Sequence, residues 1–236
     1  MFGPAAFSLF TVIHAGIAVS ALLLFDQSPV AAACLFIVEA VTAFDNGVTV
    51  LGNRMGISTQ AELLNRMRFL LHAICIGLLL PVYAAIANAV AFTGPAATLV
   101  YVVAWMLAIA IAFYGYVYQY GRTGPIMPVR YFGCLRYAQS VSEITRHPDY
   151  EYSETELEAR GSLPMASVAT TLVGLILAIL IGWFGSFWVP FIVTALMFLA
   201  GALPLRTWGP FATSCLEIIY SGGMLYSLAV AVGGSG

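Results

Sequence analysis

Lysine is absent from this chain, and charge of either sign is scarce. All nine cationic side chains are arginine, and charged residues make up 8% of the 236 residues, whereas hydrophobic residues make up 61%. Soluble globular domains carry roughly 25% charged residues, so this chain cannot cover itself with polar groups in water. The composition predicts an integral membrane protein. The missing lysine excludes a retinal protein, because retinal is attached through a lysine Schiff base.

Motifs for metal, nucleotide and acyl chemistry are missing as well. The sequence has no HExxH, no CxxC, no Walker loop, no GxGxxG leading into a helix and no GxSxG. The four cysteines are interpreted as small buried hydrophobic residues. We therefore expect no cofactor and no resident metal, and the net charge of −2 offers no basic patch for nucleic acid. Two kinds of chemistry remain for the sequence: proton transfer by carboxyl groups, or the binding and transport of ions by carboxylates.

Seven apolar segments approach the length of a transmembrane helix, which needs about 20 residues. They cover 4–25, 29–52, 68–92, 96–120, 166–187, 189–204 and 208–232. The sequence thus predicts an all-α polytopic membrane helix bundle of seven transmembrane helices in a single domain, 1–232. The closing GGSG, 233–236, resembles a flexible linker. The polar stretch 121–165 is expected to be a loop. Its second part, EITRHPDYEYSETELEARGSLP, is interpreted as a solvated connector with a short helix at 153–160, where SETE resembles a capping box.

The arginines all fall on one side of the expected membrane. They lie between spans two and three, four and five, and six and seven, and the other loops hold none. Cytoplasmic loops carry the excess of Arg and Lys. The pattern therefore predicts a cytoplasmic N-terminus, with 53–67, 121–165 and 205–207 on the same side.

Ionisable side chains inside apolar segments are rare and usually functional. In the predicted orientation, His14, Glu39 and Glu217 lie near mid-membrane, and Asp45 and His72 lie closer to the cytoplasm. Glu39 and Glu217 have no arginine at their own depth, so each is expected to be a desolvated, proton-bearing acid. In lipid each polar group must find its partner inside the protein. One shared cavity is therefore expected to collect His14, Glu39, Asn46, His72, Glu217 and Tyr220.

Helical spacing predicts the neighbours of these groups. Asn46 follows Glu39 by seven residues on the same helix face and is expected to orient its carboxyl group. Asp45 is rotated away and is expected to reach Arg68 or His72 of the third span, either as a structural ion pair or as part of the site.

Aromatic side chains are the remaining candidates for a substrate pocket. Trp105, Phe113 and Tyr220 are deep enough to line a cavity, with lipid-facing or core packing as the alternative for each. Together with His14, Asn46, Arg68 and His72 they form the predicted substrate-binding set, whereas Glu39, Glu217 and Asp45 form the predicted catalytic set.

Two short segments resemble the seven-span integral-membrane terpene cyclases of meroterpenoid and indole-diterpenoid pathways. That family uses one acidic residue in the second span and another in the seventh. Here ACLFIVEAV supplies Glu39, with Val38 where a tryptophan is usual, and SCLEIIYSG supplies Glu217, where an aspartate is usual, followed by Tyr220. The resemblance implies an isomerase or lyase of terpenoid biosynthesis. An acid, Glu39 or Asp45, would protonate a lipophilic isoprenoid epoxide or olefin, and Glu217 with Tyr220 would remove the final proton from the carbocation.

A second resemblance is to TerC-type membrane proteins linked to metal-ion export. Their signature, a glutamate followed after five residues by Asp-Asn, is matched by EAVTAFDN from Glu39 to Asn46. It implies a transporter in which Glu39, Asp45 and Asn46 coordinate a hard cation such as Mn²⁺ or Ca²⁺. The following stretch, through GNRMG, LLNR and RFLLHA, resembles a family signature with no activity attached.

The sequence therefore leaves three hypotheses: a terpene cyclase, a cation transporter, and a non-catalytic subunit of a membrane complex. The expected partners are membrane lipid and, for the cyclase, a lipophilic small molecule. The oligomeric state is left open.

Overall fold

The computed structural model describes residues 3–120, 125–159, 164–202 and 209–234, and most of them are helical. Among these residues, six helical stretches are long and apolar enough to cross a membrane: Gly3–Leu22, Pro29–Met55, Thr59–Val90, Gly94–Tyr118, Met165–Gly185 and Ala212–Gly233. The expected sixth span, 189–204, contributes a shorter apolar helix at Val189–Ala200. The helical bundle predicted from composition is present, and the count of seven spans stays a prediction.

The first two helices end and begin where the sequence carries turn residues. Helix α1 covers Gly3–Leu22 and packs along α2, Pro29–Met55. Pro29 occupies the first turn of α2, where its missing N–H leaves no gap, and Ser28 precedes it. Helix α2 stops at Gly56, whose φ of 61° lies in the left-handed region that glycine tolerates.

The segment 53–67, expected to be a loop, is mostly helix, so this prediction was wrong. A three-residue turn leads into α3, Thr59–Cys75, because Ser58 caps the helix by accepting a hydrogen bond from the backbone N–H of Ala61. A 3₁₀ turn, Ile76–Leu78, then joins α3 to α4, Leu79–Val90. Pro81 lacks the N–H that would bond the Gly77 carbonyl, which accounts for the irregular turn at this point.

Helix α4 is the centre of the bundle. It contacts α2 and α5, Gly94–Tyr114, and it also packs on α7, Met165–Gly185, and α9, Gly209–Gly233. Most of its side chains are buried, including Leu79, Val82, Tyr83 and Ile86. Helix α8, Val189–Ala202, pairs with α7 and α9 at the periphery, and one turn of wider helix, Gly115–Tyr120, extends α5.

The stretch 121–165 was expected to be a loop, and the described part of its first half instead contains a β-hairpin. Strands β1, Met127–Tyr131, and β2, Cys134–Ala138, form an antiparallel hairpin, and Met127, Val129 and Cys134 are buried. Its two-residue turn, Phe132-Gly133, has positive φ at both positions, 48° and 81°, which is the backbone of a tight hairpin.

The hairpin docks on α2 and α3 through side chains that bind its main chain. Asn53 donates to the carbonyl of Gly133 and accepts from the N–H of Leu135, each at 2.7 Å. Asn65 accepts from the N–H of Tyr137 at 3.2 Å, and Arg68 donates to the carbonyl of the same residue at 3.1 Å. Asn53, Asn65 and Arg68 belong to the GNRMG, LLNR and RFLLHA segments, respectively, so the signature noted in the sequence docks the hairpin in this fold.

We call the end of the bundle covered by residues 127–138 the hairpin end. Helices α1, α3 and α9 begin there and α2 finishes there, and Cys134 packs against Phe7 and Phe10 of α1. The six arginines that the structure describes all lie at this end, in α2, α3, the hairpin and the segment bridged to β1: Arg54, Arg66, Arg68, Arg130, Arg136 and Arg146. Arg122, Arg160, Arg206 and the predicted loop 205–207 lie outside the described residues.

The short helix predicted at 153–160 is present as α6, Glu154–Glu158. Ser153 and Glu156 form the reciprocal capping box that SETE predicted. The backbone N–H of Ser153 donates to the Glu156 carboxylate at 2.8 Å, and the hydroxyl of Tyr150 donates to it as well. Both bonds lower the pKa of Glu156, and the backbone bond from Ser153 has the larger effect. The bond to Glu156 is the main cause that raises the pKa of Tyr150 to about 12.

Candidate active site

Two cavities lie side by side within the bundle, and they differ in chemistry. The apolar cavity, about 430 Å³, is lined by Val38, Glu39, Thr42, His72, Ile76, Leu79, Pro164, Ser167, Val168, Thr170, Thr171, Met197, Phe198, Thr213, Glu217, Tyr220 and Ser221. The polar cavity, about 210 Å³, is lined by Phe7, Asp45, Asn46, Thr49, Arg136, Thr213, Ser214 and Glu217. Thr213 and Glu217 line both, so α9 forms the boundary between them.

Glu39 is not the isolated carboxyl group that the sequence predicted. Its Oε2 lies 2.7 Å from Nδ1 of His14, and both side chains are buried. Position 14 of α1 and position 39 of α2 meet because the two helices pack along each other. The other ring nitrogen of His14, Nε2, has no hydrogen-bond partner within the part of the chain that the structure describes. Within the described residues, the His14 ring therefore hydrogen-bonds Glu39 and no other group, and it does not line the apolar cavity.

Glu217 is the second carboxyl group of the apolar cavity. It comes from α9, and the expectation that Glu39 and Glu217 would share a cavity is confirmed. The expectation that it lacks an arginine at its own level was wrong, because Arg136 of the hairpin lines the polar cavity with it. Glu217 forms no ion pair with any residue that the structure describes.

Tyr220 lies one helical turn beyond Glu217 and belongs to a buried hydroxyl chain. Its hydroxyl is 3.0 Å from that of Tyr83 in α4, and Tyr83 in turn hydrogen-bonds Thr194 of α8. The Thr194 hydroxyl also donates to the carbonyl of Pro190 at 2.5 Å. Glu217, Tyr220 and Ser221 all line the apolar cavity, and the hydrogen-bonded hydroxyls of Tyr83 and Thr194 fix the position of the Tyr220 phenol.

Asp45 and Arg68 form the ion pair that the sequence predicted. Nη1 of Arg68 lies 3.1 Å from the Asp45 carboxylate and 3.4 Å from the Thr49 hydroxyl. The Arg68 side chain is 1% exposed, whereas that of Asp45 is 33% exposed. Arg68 lines neither cavity, and its contacts with α2 and the hairpin indicate a structural role rather than the expected substrate contact.

Asn46 and His72 occupy different surroundings from those expected. The Asn46 amide donates to the carbonyl of Thr42 and lines the polar cavity, so the prediction that it would bind the Glu39 carboxyl group was wrong. His72 does line the apolar cavity, with Nε2 3.0 Å from the hydroxyl of Ser167 on α7. The single predicted cavity is thus divided: Glu39, His72, Glu217 and Tyr220 meet in the apolar part, and His14 lies behind it.

Of the three candidate aromatic residues, Tyr220 is the one that lines either of these two cavities as the described residues form them. Phe113 is 65% exposed on the outer surface of α5, so its assignment to a pocket was wrong. Trp105 is partly buried against the core and packs edge-on to Tyr101, outside both cavities. Both side chains lie on α5, a largely exposed helix whose buried residues are Ala104, Ala108 and Ile111.

Sequence reasoning missed Arg136 and Tyr83. Arg136 was assigned to the loop 121–165, although RYFGCLRYA carries a hairpin signal, with a glycine between two β-prone runs. Tyr83 gave a weaker signal, because it is a single tyrosine in the apolar run that follows Pro81. Its partner Tyr220 is 137 residues away, and no local pattern joins the two.

Comparisons of the whole chain with protein families, with curated proteins and with solved structures give no match.

Proposed function

We propose that this protein is a membrane-embedded acid–base enzyme that cyclises a lipophilic isoprenoid epoxide or olefin. The observation that carries the proposal is the pairing of Glu39 and Glu217, from two helices distant in sequence, on the wall of one largely apolar cavity. Its volume of about 430 Å³ lies in the range of small-molecule sites, about 300–1,000 Å³. The resemblance to membrane terpene cyclases points to the same two acidic positions.

The membrane orientation completes this picture. The proposed seven-span arrangement has the hairpin end in the cytoplasm, because the described arginines gather there and cytoplasmic segments carry the excess of positive charge. The apolar cavity would then be shielded by lipid and helices, and a substrate dissolved in the bilayer could reach it without passing through water.

The contacts of the two carboxyl groups favour distinct roles for them. An unpaired carboxylate in a dry site is costly, so Glu217, which has no ion pair among the described residues, is suited to hold a proton and donate it. Glu39 can receive a proton as a carboxylate supported by the Nδ1–H of His14. These roles reverse those implied by the family resemblance. Asp45, held by Arg68, is a poor proton donor.

The reaction then needs no cofactor. Glu217 gives its proton to the epoxide oxygen or to an olefin carbon, and the resulting carbocation is attacked by a second double bond, forming a carbon–carbon bond. A C–H next to the new cation then loses its proton to the Glu39 carboxylate, which His14 supports by a hydrogen bond. The product is therefore an isomer of the substrate. The ring of Tyr220 can stabilise the cation through its face, and the apolar walls keep water from capturing it.

The cation-transporter hypothesis receives less support from the same residues. Glu39 faces the apolar cavity with His14, whereas Asp45 is bound by Arg68 and Asn46 by a backbone carbonyl. The glutamate and the Asp-Asn pair therefore do not converge as a ligand set. Among the described residues, no three His, Cys, Asp or Glu side chains are grouped as a metal site.

The test supplies membranes containing the protein with a prenylated, epoxidised substrate and analyses the extract for cyclic isomers. We expect Glu217→Gln and Glu39→Gln each to reduce product formation at least a hundredfold, as general acid and base removal does. Glu62→Gln, a surface glutamate paired with Arg66, is the matched control and should leave turnover unchanged. With a substrate whose cyclisation starts at an olefin, the product that the wild type forms in D₂O should gain one deuterium on the protonated carbon. Full turnover in both cavity variants would refute the assignment.

A further inference from the structure

The guanidinium of Arg136 lies at the wall of the polar cavity, and the side chain is half-buried. Its Nε is enclosed and makes no hydrogen bond with any described residue, and no described carboxylate forms an ion pair with it. Burial, followed by the nearby Arg68, lowers the pKa of Arg136 to about 10, so the group is still cationic at neutral pH. A cation held partly out of water without an ion-pair partner is costly, and a bound anion would offset that cost.

Neither carboxyl group of the polar cavity acts as the counter-ion of Arg136. Asp45 is engaged by Arg68 at 3.1 Å, and Thr49 beside it hydrogen-bonds the same arginine. Glu217 is proposed above to hold a proton, and in that form it carries no charge to offset Arg136. The remaining lining supplies small polar groups, the amide of Asn46 and the hydroxyls of Thr213 and Ser214. The cavity therefore offers one cation surrounded by hydrogen-bonding groups.

The position of this cavity suggests what the anion is attached to. Thr213 and Glu217 line both cavities, so a ligand lying past them could place a charged group against Arg136 and an apolar chain in the larger space. A space of about 210 Å³ holds one compact group of the size of a carboxylate or a phosphate monoester. Arg presents several N–H donors in a fixed fork that fits either oxyanion.

We propose that the polar cavity is the head-group site for an anionic amphiphile, bound by Arg136, whose apolar chain occupies the neighbouring cavity. This inference names the substrate class of the proposed enzyme and rests on that proposed function for the role of the apolar cavity. Binding itself needs no turnover, so it can be tested separately from the reaction.

The experiment measures binding to the full chain in nanodiscs of zwitterionic lipid by titration calorimetry. Three probes are compared: decyl phosphate, decanol and inorganic phosphate. We expect the wild type to bind decyl phosphate about ten- to a hundredfold more tightly than decanol, the range for a hydrogen bond to a charged group, and to bind inorganic phosphate far more weakly than either. Arg136→Gln should abolish the preference of decyl phosphate over decanol. Arg130→Gln is the matched control, since Arg130 lies on the same hairpin with an exposed side chain, and should retain it.

Equal affinities of the wild type for decyl phosphate and decanol would overturn the proposal, as would a preference that survives Arg136→Gln. Inorganic phosphate binding as tightly as decyl phosphate would replace the amphiphile by a free anion and overturn it too. If Arg136→Gln fails to fold, as judged by maleimide labelling of the otherwise buried Cys134, the wild-type comparison of the three probes decides the question. Anion-selective binding together with failed cyclisation would refute the enzyme and keep the site.

Discussion

Replacing Arg68 by methionine should release the hairpin from the bundle. The substitution preserves the length of the side chain but removes the ion pair to Asp45 at 3.1 Å and the hydrogen bond to the Tyr137 carbonyl, also at 3.1 Å. Breaking a buried ion pair by removing one partner costs about 3–5 kcal/mol. Because the Asp45 side chain is one-third exposed and can be rehydrated, we expect the lower end of that range, about 3 kcal/mol.

Cys134 is the reporter for this effect, because it is fully buried on strand β2 and becomes accessible when the hairpin undocks. With the other three cysteines replaced by alanine, maleimide labelling of Cys134 proceeds through local opening, and its rate follows the free energy of that opening. A loss of about 3 kcal/mol corresponds to roughly a hundredfold faster labelling. Arg66→Met is the control, since Arg66 makes only an exposed pair with Glu62, and should change the rate less than threefold. Labelling of Arg68→Met at the wild-type rate would show that Arg68 does not hold the hairpin.

Three further outcomes are expected. Gly52→Ala should also expose Cys134, because the new methyl group would collide with a hairpin carbonyl, while Gly47→Ala meets only a methyl group at 3.8 Å and should label as wild type. Gly223→Ala should lower the melting temperature in detergent, because its methyl group would overlap a valine of α8, and Gly222→Ala, which faces open space, should leave it unchanged. The folded chain lowers the pKa of Glu156, so the stability that its carboxylate gives to α6 is complete above pH 4.5, the ordinary pKa. That stability is lost as the pH falls through the lowered pKa of the folded chain. Amide exchange in the capped first turn should therefore accelerate at this acidic pH and not at neutral pH.

Features of the sequence that depend on composition and local spacing predicted the corresponding parts of the structure. Long apolar runs predicted the helices, SETE predicted the capping box of α6, and the rotation of Asp45 along α2 predicted its contact with Arg68. Each of these requires only the residue itself and the 3.6-residue period of a helix. The start of α3 was missed because the amphipathic segment 59–67 is polar enough to resemble a loop, although Ser58 provides a capping signal.

The geometry of the candidate site depends on contacts that no local pattern contains. His14 and Glu39 are 25 residues apart, and their pairing follows from the way α1 packs on α2. Arg136 lines the same cavity as Glu217 only because the hairpin folds back over the bundle. Phe113 was misplaced because a uniformly apolar helix gives no sign of which face meets lipid and which meets protein.

The docking of the hairpin has a consequence for how this chain tolerates change. Asn53, Asn65 and Arg68 bind main-chain atoms of residues 133, 135 and 137, which every amino acid supplies. These contacts therefore depend on the side chains of the helices but not on the side chains of the hairpin. In a saturation mutagenesis experiment, the exposed positions of the hairpin should accept most substitutions, whereas the buried Asn65 and Arg68 should accept almost none. Sequence drift across related genes would then alter the strands freely while the helix motif that holds them stayed constant, and that motif would identify a shared architecture rather than a shared substrate.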